Sequence, residues 1–252
     1  MRALAALVLW LAALPAAAEE VVAGLSQTRV AITTGFSGSE IFLYGAVKRE
    51  APPPRDRQLD VIVAVEGPST PVVVRKKERR FGIWVNGPGI EVDAAPSFYA
   101  VATTRPFERA VSHVEDLRHR IGLDHAVRLI GPATAETYPE DYREAVIRLR
   151  KREGLYFEAP GGVALADETL FRTRIALPAK LVEGDYRARI FLLRDREVID
   201  IDEETIAVRK VGLERWIFSM AQERPLLYGL LSIAVALAAG WLASAFFRIF
   251  FP

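Results

Sequence analysis

The chain contains no cysteine, which excludes a disulfide, a thiolate metal site and a cysteine nucleophile. Histidine is scarce as well: His113, His119 and His125 are the only three. Their six-residue spacing sets successive rings about 240° apart on a helix, so they form no ligand face and no metal is expected. An excess of one charge is also missing, since 33 Lys and Arg balance 32 Asp and Glu. Setting aside Arg2 and Arg248 leaves 31 cations against 32 carboxylates over residues 19–224. A nucleic-acid partner needs a basic surface to displace phosphate counterions, so none is expected. The sequence has no Gly-rich phosphate loop, nucleophile elbow, zincin helix or Ser/Lys hydrolase pattern. Gly87-Pro88-Gly89 lacks a following helix and a Lys, and reads as a turn. These absences predict a non-catalytic protein with no cofactor.

Two hydrophobic ends are present instead. Residues 1–18 run from Arg2 through the apolar stretch Ala3–Leu14 to Pro15 and Ala16-Ala17-Ala18. Twelve apolar residues are too few to cross a bilayer, and Ala16-x-Ala18 fits signal-peptidase cleavage, so residues 1–18 are expected to be a signal peptide and the mature chain to begin at Glu19. The other end, Leu226–Phe247, carries no charge over 22 residues, about 33 Å as a helix, which matches the hydrocarbon layer. Tyr228 and Trp241 lie towards its two ends, where aromatic rings mark the interfaces. Arg209, Lys210, Arg215 and Arg224 precede this helix and only Arg248 follows it, a bias that alone points the domain inward. A cleaved signal peptide exports the preceding domain regardless of such charges. The expected placement is therefore a single-pass protein of the bacterial inner membrane, domain in the periplasm and tail 248–252 in the cytoplasm.

Between the ends, short runs rich in Val, Ile, Phe and Tyr alternate with turn residues, which predicts a mainly β protein. In the N-terminal β-rich lobe, 19–105, strands are expected at 28–33, 40–47, 59–65, 71–76, 81–85 and 98–103. Gly35–Gly38, Gly67-Pro68 and Asn86–Gly89 supply turns, and Ala51–Arg57 is a stiff polar loop. From 106 to 154 the period becomes helical, with Phe107, Val111, Val114 and Leu117 in one helix and Tyr142, Val146 and Leu149 in a second. The second opens on Pro139-Glu140-Asp141 and closes on a basic run before Gly154. Strands return in a C-terminal lobe, 155–211, at 155–158, 169–176, 186–193 and 198–208. There Leu181-Val182-Glu183-Gly184-Asp185-Tyr186 has the form of the tyrosine corner of immunoglobulin-like sandwiches, whose phenol bonds an upstream carbonyl. The expected fold is thus either two immunoglobulin-like β-rich lobes joined by a helical insertion, the reading favoured here, or one sandwich interrupted by those helices, then an amphipathic juxtamembrane segment, 212–225, and the transmembrane helix, 226–247.

Several of these segments together resemble a known family: the signal peptide, Phe36–Ile41 with Tyr44-Gly45-Ala46, Gly82–Asn86, Gly154-Leu155-Tyr156, Gly184-x-Tyr186 and Leu227–Leu230. They are similar to an alphaproteobacterial family of putative transmembrane proteins, over nearly the whole exported chain. The resemblance implies an envelope location and a single-pass topology. It carries no activity with it, and it directs the partner expectation towards a permease.

Two candidate contact sites follow. Ser232, Ala236, Gly240 and Ser244 recur every fourth residue and form a stripe of small side chains on the membrane helix, a surface that lets another helix approach closely, from a membrane-protein partner or a second copy. Trp84 and Tyr99 could stack on a sugar if exposed, although buried strand aromatics are the favoured reading of both. Asp185, Asp195, Asp200, Asp202, Glu203 and Glu204 are expected as the outward positions and turn of an edge hairpin, because no Gly-assisted calcium loop surrounds them. The leading functional expectation is an anchored accessory or assembly protein that contacts a membrane partner through its helix and exported domain. The alternative is an anchored module binding cell-wall glycan or another envelope ligand.

Overall fold

The computed structural model of the protein describes residues 19–49, 57–128 and 139–250. The expected signal peptide, the polar loop before Arg57, residues 129–138 and the last two residues of the tail lie outside them. Alternation of side chains builds the first sheet. In β10 (Leu170–Pro178), Phe171, Thr173, Ile175 and Leu177 are buried while Leu170, Arg172, Arg174 and Ala176 are exposed, the two-residue period of a half-buried strand. β3 (Gly38–Arg49) buries Ile41, Leu43 and Val47 in the same way. With β1 (Glu19–Leu25) and β9 (Val163–Ala166) they form an antiparallel sheet of order β1-β3-β10-β9.

The second sheet has the order β2-β12-β11-β4-β7-β8. Its strands are β2 (Arg29–Ile32), β4 (Leu59–Glu66), β7 (Tyr99–Thr103), β8 (Tyr156–Pro160), β11 (Gly184–Arg194) and β12 (Glu197–Lys210). β4 and β7 are buried along almost their full length, because this sheet is covered on both faces. Ile62, Ala64, Tyr99, Val101, Phe191 and Leu193 share one core with the helical insertion. The alternate residues Val61, Val63, Ala100, Ala102, Ile190 and Leu192 are equally buried and point the other way, where β9, β10 and β1 approach β4, β7 and β11. The protein is therefore mainly β, with a helical insertion and one C-terminal apolar helix.

Of the two arrangements, the strand pairing is that of the interrupted one, and the leaning towards two lobes is corrected. β3 of the first stretch pairs with β10 of the second, and β4 pairs with β11, so both stretches build one pair of sheets. One compact unit accordingly takes in the described residues from Glu19 to Val30 and from Phe36 to Val208. The helical insertion is the connection that a parallel pair needs: β7 runs parallel to β8, and the chain between them crosses over the sheet and covers it.

Other expectations shift for local reasons. Asn86–Gly89 is no turn but lies within β6 (Ile83–Pro96), whose long antiparallel ribbon with β5 (Ser69–Arg80) slips register between Arg75 and Lys77. The ribbon reverses at Phe81-Gly82, both with positive φ. The first expected helix is three short ones, α1 (Phe107–Ala110), α2 (His113–His119) and α3 (Leu123–Ala126). Val111 is extended, and the Ser112 side chain accepts the Glu115 N–H to start α2 afresh, an N-cap bond. α2 exposes Val114 and Leu117 and buries Glu115 and Asp116. Asp116 accepts the backbone N–H groups of Ile121 (3.2 Å) and Gly122 (2.7 Å), so its carboxylate ties the end of α2 to the following loop. α4 (Pro139–Arg152) forms as expected, acidic in its first turn and basic in its last, and Gly154 follows with φ +71°.

A second unit, residues 31–35 with Arg209 onward, contains α5 (Leu213–Glu223) and α6 (Pro225–Phe250). α6 has 26 residues, about 39 Å. Its segment Pro225–Ser244 has mean hydropathy 2.0 and is unburied, so it is long and apolar enough to cross a membrane.

Candidate functional site

The outer face of the four-stranded sheet is apolar where a half-exposed sheet ordinarily turns polar residues to water. Two cross-strand rows form it. Val22, Ala46, Leu170 and Ala166 stand in register in one, and Gly24, Tyr44, Arg172 and Ala164 in the next. Tyr44 is 53% and Leu170 59% exposed. Small residues on β1 and β9 leave a groove of about 750 Å³ along these rows. Gly24 makes room for the Tyr44 ring, one of whose carbons would lie 3.2 Å from a Cβ at position 24. At one end Arg174 sets its guanidinium 5.0 Å from the centre of the exposed Phe42 ring, a cation–π contact. The sequence carried a sign of this face, since Ile41-Phe42-Leu43-Tyr44 is apolar at both the inward and the outward positions.

The edge beside the groove is closed by the acidic residues of β12. Asp200 accepts the Val21 N–H at 2.7 Å and Asp202 the Ala23 N–H at 2.8 Å. These two carboxylates are therefore turned towards β1, while Ile199 and Ile201 are exposed. The outward placement expected for Asp200 and Asp202 is corrected, and the reason is that β1 offers free edge amides that need acceptors. Glu19, the first described residue, pairs with both Arg49 and Arg194 at 2.8 and 2.7 Å and fixes the start of β1.

The two expected stacking aromatics separate. Trp84 is 68% exposed at the end of the β5–β6 ribbon, whereas Tyr99 is 1% exposed in the core and is not available to a ligand. The Tyr99 hydroxyl donates to the Ile121 carbonyl at 2.9 Å and accepts from Arg189 at 3.2 Å. Arg189 also donates to the His119 and Arg120 carbonyls, so the pair fastens the insertion to the sheet. Burial pushes the Tyr99 phenol up to about 12, against the opposing pull of Arg189. Burial also raises Tyr156, which donates to Pro96 at 2.6 Å. Tyr186, raised by burial too, donates to the Val182 carbonyl four residues upstream at 3.0 Å, the contact expected of its corner motif.

Ser232, Ala236, Gly240 and Ser244 are all exposed on α6. The Ser232 hydroxyl donates to the Tyr228 carbonyl at 2.8 Å and so is satisfied within its own helix, while beyond the local helix backbone and the adjoining residues nothing among the described residues lies within 4 Å of a Cβ placed on Gly240. The histidines are held locally: His125 meets Asp116 at 3.0 Å and His119 meets Glu115 at 3.3 Å. Among the described residues no three His, Cys, Asp or Glu side chains gather as metal ligands.

No curated protein matches this sequence. Among solved structures, Spo0M, a sporulation control protein from Bacillus subtilis, aligns with 82% of this chain and 55% of its own, at 10% identity and a TM-score of 0.29. A likeness that low supports no inference. The profile of a family described as "Putative transmembrane protein (Alph_Pro_TM)" matches residues 20–249, nearly everything from β1 to the end of α6, and the chain belongs to that family.

Proposed function

We propose that this is a non-catalytic accessory or assembly protein, anchored in the inner membrane by α6, with its β-domain in the periplasm and its tail in the cytoplasm. Its partner is a membrane protein, contacted through an apolar segment laid in the groove of the four-stranded sheet and through the small-residue stripe of α6. The groove carries this reading. Val22, Tyr44, Ala46 and Leu170 are apolar, accessible and unneeded by the core behind them, and a contiguous apolar face of that kind marks an interaction surface. A sugar would ask for several polar groups around the aromatic ring, and among the residues lining the groove Arg172 is the one that carries a charge, so an apolar protein segment fits better than a glycan.

The test places a photo-crosslinking residue at position 44 and, separately, at position 240 of the full-length chain in native membranes. The same membrane protein should attach at both positions, and Leu170→Glu should abolish its attachment at 44 while leaving the melting temperature unchanged. Adducts at 44 that are only with lipid, or none at all, would refute the reading. For the orientation, added protease should digest the β-domain in spheroplasts and spare it in inverted inner-membrane vesicles.

A further inference from the structure

The β5–β6 ribbon ends in four exposed residues, Phe81-Gly82-Ile83-Trp84. Phe81 is fully exposed, with φ +50°. The left-handed region suits Gly or Asn at such a turn and is unfavourable for a large side chain, and this Phe packs against no core. Folding therefore gives no reason for a Phe here. The strands behind the tip are strongly basic. Between residues 75 and 91 the sequence has Arg75, Lys76, Lys77, Arg79 and Arg80 against Glu78 and Glu91, and α4 brings Asp141, Glu144 and Arg148 beside Arg75, Lys76 and Lys77. Arg80 is paired with Glu78, and Arg79 stands directly across from Trp84. The domain as a whole is close to neutral, so this is a local concentration of charge.

We propose that the tip inserts Phe81, Ile83 and Trp84 into the interfacial layer of an anionic bilayer, with Lys76, Lys77 and Arg79 on the lipid phosphates. Trp is favoured at that depth, and cationic side chains beside an apolar tip gain from negative head groups. A second copy is a poorer occupant, because two ribbons this basic repel each other. The chain also carries a helix long and apolar enough to cross a bilayer, so a lipid surface is an occupant this protein already calls for.

The absence of cysteine makes the test direct. Ile83→Cys in the full-length chain takes a polarity-sensitive fluorophore at one site, after reconstitution into vesicles of phosphatidylcholine alone or mixed with phosphatidylglycerol. In the anionic vesicles the label should shift to the blue and be quenched by brominated lipid. A label on Lys180→Cys, on an exposed turn, should stay in water in both. Replacing Lys76, Lys77 and Arg79 by Gln, all exposed and outside the core, should lower the insertion equilibrium on the order of a hundredfold, about fivefold per cation. A label at 83 that stays in water in both lipids would overturn the proposal. So would equal burial in neutral and anionic vesicles, or burial that persists in detergent and rises with protein concentration, which would identify a second copy.

Discussion

Tyr99→Phe isolates the device that holds the helical insertion on the sheet. The ring contact survives, because Phe fills the same space beside Tyr156, whose ring centre is 6.2 Å away. The hydroxyl is lost, and with it a hydrogen bond to the Ile121 carbonyl and one from Arg189. Arg189 keeps the His119 and Arg120 carbonyls, so the destabilisation near neutral pH should be about 1–2 kcal/mol rather than the larger figure for a fully orphaned buried group. Above pH 10 the advantage of the wild type declines. The unfolded phenol ionises near 10.0 while the folded one holds its proton to about 12, so the folded state binds more protons and wild-type stability falls as pH rises. That contribution is intact below pH 10 and amounts to about 2.7 kcal/mol once lost, at 1.36 kcal/mol per pH unit. The Phe variant lacks this proton, while Tyr186 titrates in both proteins and cancels, and Tyr156 does so apart from the smaller repulsion it feels from an ionised Tyr99. Denaturant unfolding of the two full-length chains, compared from neutral pH to pH 12, should show the wild-type advantage shrinking through this window. An advantage of zero at neutral pH, or one that stays constant above pH 10, would refute the assigned role of the hydroxyl.

Two further outcomes follow from the first sheet. Asp202→Ala should destabilise by about 1–2 kcal/mol by leaving the Ala23 amide without its acceptor, and hydrogen exchange at that amide should speed up more than at the β3–β10 pairing. Gly45→Ala should destabilise by about 1–3 kcal/mol, read from the melting temperature, because its Cβ would sit 2.4 Å from the Phe171 ring and 2.5 Å from the Val22 carbonyl oxygen.

Much of the fold was legible in sequence because strand and helix periods are local. Short runs rich in Val, Ile, Phe and Tyr between turn residues marked β3 and β10, the basic run before Gly154 marked the end of α4, and the uncharged stretch after Pro225 marked α6. What sequence could not show was pairing, since β3 and β10 are more than a hundred residues apart and nothing in either run names its partner. The uninterrupted apolar run of β4 was a sign that both its faces would be covered. The same limit governed the site. The burial of Glu115 and Asp116 runs against their polarity and depends on loop amides and neighbouring side chains that only the folded chain supplies. Asp200 and Asp202 look like surface residues until β1 is brought alongside.

By itself, then, the sequence determined the membrane-length helix, the mainly β composition and the lack of cysteine and of catalytic motifs, since each is a property of composition or of short-range period. The tertiary structure decided that the two β-rich stretches share one pair of sheets, that Tyr99 is a buried fastener while Trp84 stands at an exposed tip, and that one sheet keeps an apolar outer face. Those facts depend on which strands pair and which faces are covered, and long-range packing alone sets them.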